Sequence, residues 1–170
     1  MKIIDTALAD VKIIQPEVFE DHRGIYVESY NEQLYKENGI NINFVQDDYS
    51  ISTKDVLRGL HGDNETWKLI SCPVGEIYCI VLNYNKESSQ FREWESFIIS
   101  ENNRYQILVP PKFANGHLIL SGYAMFNYKQ STYYNPKLQF TIKWNDPKFN
   151  FRWPVKAPIL SKRDEFGRYC

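Results

Sequence analysis

Residues 41–84 read NINFVQDDYSISTKDVLRGLHGDNETWKLISCPVGEIYCIVLNY. The stretch separates into four extended runs, 41–52, 56–61, 67–74 and 76–84, rich in β-branched and aromatic residues and bounded by turn signals such as Lys54-Asp55 and Gly75. The rhythm continues with REWESFIIS (92–100), YQILVPP (105–111), GHLILSG (116–122), AMFNYKQSTYY (124–134) and FTIKW (140–144). Turn residues at 83–89, Asn102-Asn103, Pro110-Pro111 and Gly122 separate these runs. Short strands at such even spacing predict an all-β fold, an antiparallel sandwich or barrel.

Working outward, residues 11–19 alternate loosely around Pro16, and EDHRGIYVESY (20–30) turns at Gly24, so that Arg23 and Glu28 project from the ends of a strand. A helix is predicted over 31–37, capped by Asn31 and stopped by Gly39, and it is the one helix the local pattern marks clearly. The end, DPKFNFRWPVKAPILSKRD (146–164), is rich in proline and aromatics and reads as an irregular arm packed over the core. With 170 residues, 43% of them hydrophobic and 15% aromatic, the chain is expected to form one domain, residues 1–170, with a sizeable core.

Twenty basic residues against 21 acidic ones give a net charge of −1, which offers no general attraction to nucleic acid or to an anionic membrane. No apolar run reaches the ~18 residues of a membrane span, and MKIIDTALAD lacks the apolar core of a signal peptide, so a cytoplasmic protein is expected. Cys72 and Cys79 fall inside strands, Cys170 ends the chain, and no CxxC pair occurs, so the two strand cysteines read as buried reduced thiols.

The segment VLRGLHGDNETWK (56–68) concentrates the chemistry. In a regular strand Arg58 and His61 would face opposite ways, but Gly59 between them permits a bulge that turns both inward. With Lys68 nearby, two fixed cations share a pocket with a titratable base, which implies an anionic ligand. Of the other two histidines, His22 beside an acidic turn reads as a surface residue. Among the tyrosines of SGYAMFNYKQSTYYNP, Tyr128 at mid-strand is the better acid, whereas Tyr133 and Tyr134 read as packing residues. Asp164 is an acid in an arm able to fold back toward a strand histidine. A metal site would have to use His61, Asp63 or Glu65, and His117; without a His-x-His pair the set is incomplete, and no metal is expected.

These motifs resemble the dTDP-4-dehydrorhamnose 3,5-epimerase family of cupin-type nucleotide-sugar enzymes. The resemblance spans nearly the whole chain, through FEDHRGIYVESY (19–30), FVQDDYSIS (44–52), VLRGLH (56–61), WKLISCPVGEIYCIVLN (67–83), LVPPKFANGHLIL (108–120), YKQSTYYNP (128–136), IKWNDP (142–147) and LSKRD (160–164). It implies a double-stranded β-helix, or jelly roll, with short peripheral helices, and a homodimer that exchanges amino-terminal strands. By position His61 is the implied base, Asp164 the acid that orients it, Tyr128 the proton donor on the opposite face and Lys68 the group at the keto oxygen. Arg23, Glu28, Gln46 and Arg58 match substrate and phosphate contacts, and neither metal nor organic cofactor is implied.

The implied reaction suits these residue types. A 4-keto group acidifies the protons on C3 and C5, and the enolate formed by their removal needs a cation at its oxygen. Imidazole as a residue type titrates near neutrality, and a carboxylate partner sets its tautomer. Inversion then requires a proton from the other face, which a neutral tyrosine supplies. Three positions depart from the family pattern: Asn115 and His117 stand where Ala-His-Gly-Phe is usual, Asp48 replaces an asparagine, and Gly62-Asp63 follow the histidine. They imply a shifted substrate, a different 4-keto-6-deoxyhexose or a GDP-linked 4-keto-heptose of capsule or lipopolysaccharide synthesis, inverted at C3, C5 or both. Two other readings are a 3,4-ketoisomerase and a non-catalytic sugar-binding cupin.

Overall fold

The computed structural model describes residues 1–167, and Cys170 lies outside the described residues. The amino-terminal strands are β1 (Lys2–Asp5), β2 (Lys12–Gln15), β3 (Val18–Asp21) and β4 (Gly24–Val27), followed by helix α1 (Glu32–Glu37). The body is built from β5 (Gln46–Thr53), β6 (Leu57–Gly62), β7 (Lys68–Val74), β8 (Glu76–Asn83), β9 (Trp94–Ser100), β10 (Gln106–Val109), β11 (Phe113–Ile119) and β12 (Tyr123–Gln130). A short β13 (Phe140–Thr141) and helix α2 (Lys162–Glu165) follow. One sheet has the order β1-β2-β10-β7-β12-β5, the facing sheet the order β13-β6-β11-β8-β9, and β3 and β4 form a separate hairpin. All the strand pairings are antiparallel, which gives the expected jelly roll.

Apolar alternation explains the layering. Along β8, Ile77, Cys79 and Val81 enter the core between the sheets, while Ile80 and Leu82 enter a second cluster on the outer face. A strand covered on both faces needs no polar positions, hence the unbroken run in EIYCIVLNY. The cover on that outer face is the carboxy-terminal arm, whose Phe149, Phe151 and Trp153 pack there as predicted. A third cluster, with Tyr35 and Ile40 over Ile14, Leu69 and Leu108, seats α1 on the outside of the first sheet. Each fully buried leucine or isoleucine contributes on the order of 1.5–3 kcal/mol, so these layers dominate the stability.

Local chemistry sets the ends. The Asn31 side chain accepts from Leu34 N at the start of α1, and Gly39 after it takes φ +85°. Gly24, at φ +119°, turns the β3–β4 hairpin as expected. A second short helix, α2, forms because the Ser161 side chain accepts from Asp164 N and caps it, in keeping with the peripheral helices that the family resemblance implies. Two strand bounds need correction. Strand β11 begins at Phe113 rather than at Gly116, and the FTIKW run pairs only as far as Ile142, which exchanges backbone hydrogen bonds with Leu60 at 3.2 and 2.9 Å while its side chain packs in the outer cluster.

The bulge at Gly59 is present. Across β6 and β11, Asn115 pairs with His61 and His117 with Arg58, so Gly59 and Leu60 stand opposite Gly116 alone. Gly59 has φ +118°, and a Cβ there would meet Gly116 Cα at 2.5 Å, so only glycine fits. The extra residue lets Arg58 and His61 share one cavity.

Candidate active site

That cavity, about 330 Å³, opens between the two sheets and is lined by Arg58 and His61 of β6, Lys68 of β7, Asn115 and His117 of β11, Phe126 and Tyr128 of β12, Asp48 of β5 and Asp164 of α2. A larger depression of about 540 Å³ lies beside the β3–β4 hairpin, lined by Cys72, Glu101 and Arg104 among others, but it holds no histidine. Burial pushes the Cys72 thiol up to about 12, so it is not a nucleophile at neutral pH. The first cavity, with two histidines, a tyrosine and a buried carboxylate, is the candidate acid–base site.

His61 Nε2 lies 2.6 Å from Asp164 Oδ1. Asp164 is 3% exposed, and α2 brings it there by its Ser161 cap, whose hydroxyl also donates to Asp164 Oδ2 at 2.8 Å. Burial alone would raise the Asp164 carboxyl, but the hydrogen bond and charge of His61, the Ser161 hydroxyl and the Gly59 amide together hold it below its ordinary value. An ionised carboxylate only accepts, so Nε2 carries the proton and Nδ1 of the neutral ring is left as the base.

Tyr128 stands on the opposite wall, half-buried, and its hydroxyl donates to no described residue. Burial, and the charge of Asp48 beside it on the neighbouring strand, raise its pKa, so it stays protonated and able to donate. Lys68 is buried and donates through Nζ to Asn115 Oδ1 at 3.2 Å. Burial lowers its pKa, against the opposing charge of Asp63. A cation so poorly solvated is well placed to meet a negative charge that develops during a reaction.

Arg58 holds Ser52 Oγ through Nε and Nη2 at 3.2 and 3.1 Å. Arg163, on α2, holds Thr141 Oγ1 in the same way at 3.2 and 3.0 Å. Each guanidinium is anchored by one edge and keeps further donors for an anion. Arg163 and Tyr134 both line the cavity and were not assigned to the site from the sequence. Adjacency of Arg163 to Asp164 was the available signal; Tyr134, read as packing, is in fact 47% exposed at the cavity.

The remaining expectations divide. Asp48, Arg58, Asn115 and His117 reach the cavity as expected, whereas Gln46 does not line it and stands behind Asp48, donating to its Oδ2 at 2.7 Å. Arg23 and Glu28 do not reach it within one chain: both are exposed on the hairpin, and Arg23 is tied to Asp21 Oδ2 at 2.6 Å. Asp63 accepts from Glu65 N, Thr66 N and Gln139 Nε2, which makes it a turn cap. Among the described residues no group of three histidines, cysteines or carboxylates is arranged to hold a metal. No described helix is long and apolar enough to cross a membrane.

Known proteins resemble the chain over nearly its whole length. Residues 5–169 match the family model described as dTDP-4-dehydrorhamnose 3,5-epimerase. A Salmonella typhimurium dTDP-4-dehydrorhamnose 3,5-epimerase is 43% identical over 169 residues, covering 96% of this chain and 92% of that protein. The Bacillus anthracis enzyme of the same name, crystallised with TDP and PPi, superposes with a TM-score of 0.96 at 35% identity over 99% of both chains. A Legionella pneumophila dTDP-6-deoxy-D-glucose-3,5-epimerase in complex with dTDP-4-keto-L-rhamnose gives a TM-score of 0.94 at 37% identity, covering 99% of this chain and 92% of that one. This likeness over nearly all its length places the chain, a jelly roll whose cavity gathers a histidine–carboxylate pair, a tyrosine and two arginines, in the dTDP-4-dehydrorhamnose 3,5-epimerase family.

Proposed function

We propose that residues 1–170 form a single cupin-type domain that inverts C3, C5 or both in a nucleotide-linked 4-keto sugar. The observation that carries this reading is the placement of His61, oriented by Asp164, on one wall of the cavity and of protonated Tyr128 on the other, with buried Lys68 beside them. His61 takes the proton next to the carbonyl, Lys68 neutralises the enolate oxygen, and Tyr128 returns a proton to the other face. Arg58 and Arg163 hold the diphosphate. None of these steps calls on a metal ion. A sugar-binding cupin would have no use for a base and an acid on opposite walls.

The test is incubation of dTDP- and GDP-linked 4-keto hexoses and heptoses with the enzyme in deuterated water, followed by NMR. Deuterium should enter C3 or C5 of inverted product while the carbonyl stays at C4. Movement of the carbonyl to C3 would make the protein a ketoisomerase, and no exchange with any of the sugars would overturn the reading.

The enzyme is further proposed to be a cytoplasmic homodimer that exchanges its amino-terminal hairpins. Support comes from the exposure of Phe19, Ile25 and Tyr26 on the hairpin and of Tyr49 and Ile51 on the edge strand β5. Such apolar groups call for a covering partner. Exchange also explains why Arg23 and Glu28 are remote from their own cavity: each would serve the partner's. Mixing unfolded and refolded Arg23→Ala and His61→Asn variants, each nearly inactive alone, should then restore activity, because one site of a mixed dimer receives both native residues. A mixture as inactive as its parents would refute the exchange. Cys72 and Cys79, both unpaired, fit a reducing compartment.

A further inference from the structure

Strand β11 presents two polar side chains to the cavity, Asn115 at 9% and His117 at 3% exposure. Two residues apart on one strand, they share a face. Asn115 is occupied, accepting from Lys68 Nζ at 3.2 Å. His117 is not: its Nε2 is buried and meets no hydrogen-bond partner. Packing alone fixes the ring, which lies flat on Phe126 with centroids 3.8 Å apart and an interplanar angle of 7°. A phenyl ring would stack as well without leaving a polar nitrogen desolvated, so the imidazole needs a reason other than stability.

Its place along the strand supplies one. Asn115 pairs with His61 and touches Lys68, whereas His117 pairs with Arg58. The inference rests on the epimerase reading, in which the keto oxygen lies at Lys68 and the diphosphate at Arg58. The sugar ring then lies along β11 with C4 near Asn115 and its anomeric side near His117, and the hydroxyl on that side is the one at C2. We propose that His117 is a specificity-determining residue that hydrogen-bonds the C2 hydroxyl of the sugar. Burial, with Arg58 and His61 adding to it, pushes its imidazole down to about 3. The ring is therefore neutral at physiological pH, one nitrogen a donor and the other an acceptor, and it matches a hydroxyl rather than a phosphate.

The experiment pairs removal of the side chain with removal of the hydroxyl. Deuterium incorporation gives kcat/KM for an accepted nucleotide-linked 4-keto sugar and for its 2-deoxy analogue, in wild type, His117→Phe and His117→Gln. Wild type should prefer the 2-hydroxy sugar by about tenfold or more, since its analogue leaves a buried polar group unpaired. The ratio should fall close to one in His117→Phe and be partly regained in His117→Gln. Affinity for the free nucleoside diphosphate should be the same in all three, and His117→Phe should melt no lower than wild type. An unchanged ratio in His117→Phe, a loss of diphosphate affinity or a large drop in melting temperature would each overturn the assignment. Equal turnover of both sugars by wild type would overturn it while leaving the epimerase reading intact. No exchange with either sugar would remove that reading and this inference with it.

Discussion

His61→Asn is expected to abolish both deuterium exchange and epimerisation, with a loss of about 10³-fold or more, because the substitution removes the base to which proton abstraction is assigned. Asparagine keeps a polar side chain of similar reach at a position only 25% exposed, so the fold should survive. Asp164→Asn should lose less, about 10²-fold, since the base itself remains. The loss is still substantial because an amide can present either its oxygen or its nitrogen to Nε2. Ser161 Oγ donates to Asp164 Oδ2, which favours the amide oxygen on that side and turns the amide N–H toward His61. A ring that accepts at Nε2 carries its proton on Nδ1 and cannot act as a base there. Rates of deuterium uptake by NMR check both variants. Exchange by His61→Asn at the wild-type rate would require a different base.

Tyr128→Phe should separate the two halves of the reaction. The ring keeps its packing against Phe126, 5.3 Å away, and the lost hydroxyl bonds no described residue, so stability should change little. His61 still forms the enolate and Lys68 still neutralises it. Without a donor on the other wall, the intermediate takes back a proton from His61 on the original face. Once the imidazolium proton has exchanged with solvent, the variant should wash deuterium into C3, or C5, within about tenfold of the wild-type rate, while inverted product falls by about 10²-fold or more. Wild type should instead place deuterium mainly in inverted product. Epimer formed by Tyr128→Phe within a few-fold of wild type would point to water or to Tyr134, which lines the same cavity, as the donor.

How much of this was legible in the chain depended on range. Strand runs, the Gly24 turn, the Asn31 cap and the Gly59 bulge follow from alternation, turn chemistry and glycine's freedom at positive φ, all effects that act within a few residues. The parity that puts Asn115 and His117 on one face is equally local. A four-residue helix such as α2 has no period to detect. Arg163 was overlooked because its role depends on where that short helix lands.

The amino-acid order by itself determined the all-β class, the family likeness and the residue types of an acid–base site carrying fixed cations. Only the tertiary structure decided how those residues meet. His61 and Asp164 are 103 positions apart and become a 2.6 Å pair because the aromatic arm packs across the outer sheet and delivers α2 to the cavity. The same long-range packing stacks His117 on Phe126 from the facing sheet and leaves its Nε2 unpartnered, places Gln46 behind Asp48, and holds Arg23 and Glu28 out on the hairpin. Contacts between sheets are set by which apolar faces bury one another across the whole chain, and no short window of sequence carries that information.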